Sequence, residues 1–260
     1  MKWLARLCVA VILVAGGARA GVARCWFENG ALVVPAAFGD IAGDFILDLS
    51  TPKSQLHVTR AQSGGVTTDE ASADLVLAGE RIHGFHMEVT DLDARTRAFT
   101  TNIAGVLGAD ALGPFVVDIG FAPCTVRLDR RHRAAASGAM KLKVQVVAGV
   151  PAIAAAISDG PTSRAGLFAI DTASAGIRIA DASLSRPPPV GIDPAGREAP
   201  PARLRALSLG GLLFERTPAG LMAQAPPGLA GAIGDAVWRR FHLRLDLKNR
   251  RVDLTPVPWR

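Results

Sequence analysis

The chain has no tyrosine, only three cysteines, and no apolar run long enough to form a membrane-spanning helix. Its most apolar stretch near the N-terminus, Leu7 to Ala15, falls well short of the ~20 residues a span needs. Charge of one sign is scarce as well. Of the 29 lysines and arginines, three (Lys2, Arg6 and Arg19) lie in that leader-like segment, leaving 26 against 23 acidic residues, a net +3. The basic residues are scattered or in short clusters such as Arg130-Arg131-His132-Arg133, without interleaved aromatics, so nucleic acid is excluded as an expected partner. A Gly-x-Ser-x-Gly elbow and a Gly-x-x-x-x-Gly-Lys phosphate loop are both missing. His83 and His86 have no cysteine or carboxylate beside them in a zinc spacing, and no metal or cofactor is expected.

What is present points to a β-rich globular protein. Hydrophobic residues make up 49% of the chain, and 27 glycines and 17 prolines punctuate short apolar runs, as turns between strands require. Residues 1–20 combine a basic start, a short apolar segment and Ala18-Arg19-Ala20, the small-x-small pattern of a signal-peptidase site. The expectation is an exported protein, periplasmic or secreted after cleavage near Ala20. Cleavage would remove Cys8 and leave Cys25 and Cys124, an even number in an oxidising space. A disulfide and two buried free thiols both fit that count.

The remaining pattern is an internal duplication. Phe45-Ile46-Leu47 runs into Asp48-Leu49-Ser50-Thr51, and Phe168-Ala169-Ile170 runs into Asp171-Thr172-Ala173-Ser174. Downstream, Gly105-Val106-Leu107-Gly108 corresponds to Gly231-Ala232-Ile233-Gly234, and 105–128 aligns with 231–254 without a gap. Alternating segments around Leu75-Val76-Leu77-Ala78-Gly79 and Leu207-Ser208-Leu209-Gly210-Gly211 read as equivalent hairpins. The implied organisation is a first β lobe at 21–130 with one Asp loop, a polar, small-residue linker at 131–141, and a second β lobe at 142–260 with the other. The proline-rich stretch 186–203 reads as a surface loop of the second lobe.

An apolar strand ending in an Asp loop, followed by a hairpin and by two apolar residues and a glycine, once per half, resembles the pepsin and retropepsin-like aspartic peptidases. The resemblance covers nearly the whole mature chain. It implies an all-β, two-lobed acid protease fold with a pseudo-two-fold axis, and a monomeric endopeptidase acting on peptide or protein substrates. Asp48 and Asp171 would be the catalytic pair. Thr172 would tie the two loops together through a buried hydroxyl, Ala173 would allow close approach, Thr51 and Ser174 would orient their own acids, and Gly108 and Gly234 would lie beneath the loops. The first loop departs from the pattern: Leu49 replaces the usual threonine and Ser50 the usual glycine. With no tyrosine there is no tyrosine-bearing flap, and Ser63-Gly64-Gly65 is the candidate glycine-rich flap. The altered first loop raises an alternative, a catalytically impaired module that binds an extended peptide or an envelope partner in the cleft between the lobes.

Overall fold

A computed structural model describes residues 21–130, 137–180, 202–222 and 225–257. The candidate signal peptide, part of the candidate linker and most of the proline-rich loop lie outside the described residues.

The first hairpin shows how local sequence sets the strands. Trp26–Glu28 pairs antiparallel with Ala31–Phe38 around Asn29-Gly30, whose φ values of 51° and 77° are the two left-handed positions that a tight two-residue hairpin demands. Ala31–Phe38 then pairs with Ile41–Leu47, which delivers Asp48 at its end.

Each half builds the same frame. In the first, Ile41–Leu47 lies parallel to Ile103–Leu107, with Phe45 opposite Gly105 and Leu47 opposite Leu107. In the second, Ser163–Ile170 lies parallel to Gly231–Ile233, with Phe168 opposite Gly231 and Ile170 opposite Ile233. The short strand Gln55–His57 pairs antiparallel with Ile103–Leu107 and parallel with Glu80–Thr90; Ile177–Ile179 pairs antiparallel with Gly231–Ile233 and parallel with Leu212–Leu221. The expected hairpins are present as Glu70–Leu77 with Glu80–Thr90 and Ala202–Leu209 with Leu212–Leu221. One-turn helices follow Gly108 (Ala109–Leu112) and Gly234 (Asp235–Trp238). The duplication is therefore topological as well as sequential.

The halves are not separate bodies. Val116–Phe121 lies outside the first half's seven-stranded sheet and pairs instead with Phe241–Asp246 of the second, Leu243 facing Ile119 and Leu245 facing Val117, while Cys124–Asp129 pairs with Val116–Phe121 and with Val22–Arg24. Met140–Val147 joins the same sheet through Arg251–Pro256, so Met140 and Lys141, expected in the linker, are already strand. Alternation along these strands sends Val117, Ile119, Leu243, Leu245, Val252 and Leu254 into a core that also takes Phe45, Phe168 and Trp238. Cys25 and Cys124 are disulfide-bonded, fastening the start of the described chain to this shared sheet.

Candidate active site

The two parallel strand pairs place Asp48 and Asp171 identically. The Asp48 N–H donates to the Leu107 carbonyl at 2.9 Å and the Asp171 N–H to the Ile233 carbonyl at 3.0 Å, so each acid begins its loop anchored to the neighbouring strand. The loops then turn back on their carboxylates. Ser50 N–H donates to Asp48 Oδ1 at 2.8 Å and Ala173 N–H to Asp171 Oδ1 at 2.8 Å; Thr51 Oγ1 donates to Asp48 Oδ2 at 2.7 Å and Ser174 Oγ to Asp171 Oδ2 at 2.6 Å. Both acids are buried.

Glycine is needed where the loops rest on the downstream segments. A Cβ at Gly108 would sit 2.7 Å from the Thr51 carbonyl, and one at Gly234 only 2.3 Å from the Gly176 carbonyl and 2.4 Å from that of Ser174. These contacts are to backbone, which has little room to give.

The cross-loop tie is one-sided. Thr172 Oγ1 donates to the Leu47 carbonyl at 2.6 Å and accepts the Leu49 N–H at 3.1 Å, joining the second loop to the first. Leu49 returns no such bond; its side chain is fully buried in the main apolar core. The first loop has exchanged a reciprocal hydrogen bond for apolar packing. Ser50 is not an inert substitution either, because its Oγ adds a further hydrogen bond to Asp48 Oδ1 at 2.7 Å.

Two arginines that sequence reasoning missed complete the site. Arg95, on the short helix Asp93–Thr96 of the first half, donates Nη2 to Asp48 Oδ2 and approaches Thr51 Oγ1 at 3.3 Å. Arg178, on the strand Ile177–Ile179 of the second, donates Nε and Nη2 to Asp171 Oδ2 at 2.9 and 2.5 Å. The same Nη2 lies 3.2 Å from Ser50 Oγ, so the Arg178 guanidinium bridges the two acid loops through Ser50. Arg95 is recruited by tertiary approach, 47 positions from Asp48, whereas Arg178 lies only seven positions from Asp171 and reaches it as the chain returns from the loop into Ile177–Ile179.

The environments push the two acids apart. Burial alone would raise the Asp48 carboxyl, but the Arg95 charge and the hydrogen bonds from Thr51 and Ser50 outweigh it and hold Asp48 below the usual carboxylate range. For Asp171, burial and then the negative charge of Asp48 raise the carboxyl, and Arg178, Ser174 and Ala173 offset that only in part. A neighbouring pair split in this way is the arrangement from which one carboxylate serves as base and one carboxylic acid as donor.

Above the acids lies a cleft of about 480 Å³, lined by Asp48, Ser50, Thr51 and Arg95 from the first half and by Ala169, Ala173, Arg178, Met222, Pro226 and Leu229 from the second. The candidate flap does not reach it. Ser63 ends the helix Val58–Ser63, Gly64 donates its N–H to the Arg60 and Ala61 carbonyls, and Gly65 follows with φ 79°, a glycine helix stop rather than a hairpin tip. Gly64 and Gly65 line a different pocket, with Phe38 and Ile41. The segment that reaches the first acid is instead the one carrying Arg95.

Of the candidate metal donors, His83 is exposed and paired with Asp74, as is Arg81. Among the described residues, His57, Asp91 and Asp93 bring ligand atoms within 4.8 Å of one another. His57 Nδ1, however, accepts the Thr59 N–H as a helix cap and Nε2 lies 3.1 Å from Asp93 Oδ1, so both ring nitrogens already have partners within the protein.

No protein-family model and no curated protein matches the sequence. Among solved structures, the chain is similar to the aspartic proteinase from Irpex lacteus, with a TM-score of 0.59 and 12% identity over 91% of this chain and 97% of that one. At that identity the likeness speaks for architecture alone, and it agrees with the duplicated strand order: the chain has the two-lobed, all-β, pepsin-like acid protease fold.

Proposed function

We propose that the chain is an exported aspartic endopeptidase in which Asp48 and Asp171 activate the attacking water. The observation that supports this most is the equivalent placement of Asp48 and Asp171 at corresponding strand ends, Asp48 lining the cleft and Asp171 buried beneath Arg178, which lines it, with the loops joined by Thr172. Asp48, held ionised, takes a proton from water as its oxygen bonds to the scissile carbonyl carbon. Asp171, raised by its burial and by the charge of Asp48, is the acid that takes up the shared proton and gives it to the carbonyl oxygen. Collapse of the resulting gem-diol, with a proton passed to the departing amine nitrogen, breaks the C–N bond. The chemistry as written calls for no metal or cofactor. The Cys25–Cys124 disulfide supports export, because such bonds persist in oxidising compartments.

Arg95 and Arg178 bear on the conditions of this reaction. The water must hydrogen-bond oxygens that the guanidiniums now occupy, and one proton must be shared by the pair. Acidic pH supplies the proton and loosens the ion pair of whichever acid accepts it. The test is cleavage of a peptide library by the mature protein between about pH 3 and about pH 8, alongside Asp48→Asn and Asp171→Asn. Cleavage confined to the acidic side and lost in both variants is expected. The Arg178 bridge between the loops favours a second reading, an extended-peptide binder without hydrolysis. A folded wild type that binds library peptides and leaves them intact over the whole range would replace the first reading with this one.

A further inference from the structure

The charge that the cleft presents to a ligand is opposite to the charge on its floor. The side chains of Asp48 and Asp171 are 4% and 0% exposed, whereas those of Arg95 and Arg178 are 32% and 38% exposed. Among the described residues lining the cleft there is no other charged side chain. The acids are therefore sheathed, and an incoming molecule meets guanidinium first. The two cations come one from each half, each seated on that half's acid. Arg178 uses Nε and Nη2 on Asp171 and Ser50, and its Nη1 group has no partner among the described residues. Met222, Pro226 and Leu229 supply an apolar wall beside it.

The free Nη1 group of Arg178 suits a carboxylate best, because a hydrogen bond between oppositely charged groups is stronger than one to a neutral acceptor. We propose that Arg95 and Arg178 are specificity residues, selecting extended peptides with aspartate or glutamate side chains beside the position over the acid pair and apolar residues against Met222, Pro226 and Leu229. This rests on the cleft taking a peptide, as in both readings above, and does not require hydrolysis. A ligand carboxylate that draws a guanidinium toward itself also uncovers the acid beneath it. An acidic peptide thus both binds and exposes Asp48 or Asp171.

The experiment is a fluorescence-anisotropy titration of the mature protein near neutral pH with two labelled peptides. Both are acetylated and amidated and carry the same apolar residues; one bears Asp and Glu, the other their isosteres Asn and Gln. The acidic peptide should bind about tenfold tighter, the effect of one additional charge-assisted pair, and the gap should narrow as salt is raised. Arg95→Gln and Arg178→Gln should each shrink the gap, while Arg178→Lys, which keeps the charge but not the separate Nη1 donors, should retain part of it. Arg178→Gln removes the hydrogen bonds that hold Asp171 and Ser50 and can fail to fold; the wild-type comparison of the two peptides decides the matter without it. Equal or weaker binding of the acidic peptide overturns the proposal, as does a gap unchanged in folded arginine variants. A third peptide, neutral in its side chains but with a free C-terminal carboxylate, separates sources: if it binds as tightly as the acidic one, selection is of a chain terminus and the side-chain proposal falls. Cleavage of neutral peptides would survive such a failure, and this binding readout survives a failure to detect cleavage.

Discussion

Replacing Thr172 with valine deletes the hydroxyl that joins the two acid loops while leaving the shape of the side chain almost unchanged. In the native protein that oxygen donates to the Leu47 carbonyl at 2.6 Å and accepts the Leu49 N–H at 3.1 Å, and Thr172 is only 1% exposed. The variant leaves a buried carbonyl and a buried N–H without partners, each worth about 1–3 kcal/mol, with partial relief from the added apolar methyl. A net loss of about 3 kcal/mol follows. For a chain of this size it corresponds to a melting temperature lowered by roughly 6–12 °C. Thr172→Ser keeps the oxygen and loses one methyl, so it should cost only about 1 kcal/mol. Thermal unfolding followed by circular dichroism on both variants is the assay. A Thr172→Val protein melting within about 2 °C of wild type would refute the reasoning, as would a serine variant destabilised as much as the valine one.

The parts of this site that were legible in the sequence are those whose geometry is built locally. An apolar run into Asp-x-x-Thr or Asp-x-x-Ser predicts a strand and a turn folding back on its own acid, and in both loops the structure has that return. The paired glycines were legible for the same reason, since the loops pack on them through backbone. Leu49 and Ser50 were read by what they lack. The loop tolerates Leu49 because apolar burial substitutes for a hydrogen bond, and Ser50 brings a hydrogen bond to Asp48 that glycine could not make. Arg95 was illegible because a cation's partner is decided by how distant elements approach, and it lies 47 positions from Asp48; Arg178, seven positions from Asp171, was close enough to be considered, but a strand residue's facing is not written in its spacing alone. Gly64-Gly65 misled because a glycine pair ends a helix as readily as it turns a hairpin, and only the pattern around it separates the two. A clean lobe boundary was expected because the repeat is clean, yet the strands after each glycine turn pair across the repeat.

The Cys25–Cys124 bridge closes a separation of 99 residues, so converting both cysteines to serine should lower stability by up to about 4–5 kcal/mol, and thiol titration of the unreduced, denatured mature protein should find no free thiol. Two free thiols per chain would overturn it. The other prediction concerns pH. A carboxyl raised in the folded state, as in Asp171, binds its proton where the unfolded chain has released it, so stability falls as pH rises from the usual carboxylate range through the folded value. A carboxyl held low, as in Asp48, contributes stability above the usual range that is lost as pH falls through its folded value. Stability should therefore rise as pH is lowered from neutrality and fall again in stronger acid. His242, raised by its hydrogen bond to Asp118, acts in the same direction as Asp171, since its contribution is present below its unfolded value and lost as pH rises through the folded one. Melting temperature against pH for wild type, Asp171→Asn and Asp48→Asn separates these sources, because His242 is common to all three. The asparagine at 171 should remove part of the rise between neutral and mildly acidic pH; the asparagine at 48 should remove part of the fall in stronger acid and, by deleting a charge that raises Asp171, also weaken the rise. An Asp171→Asn profile parallel to wild type from neutrality downward would mean that Asp171 is ionised throughout beside Arg178, and the division of the pair into base and acid would fall with it.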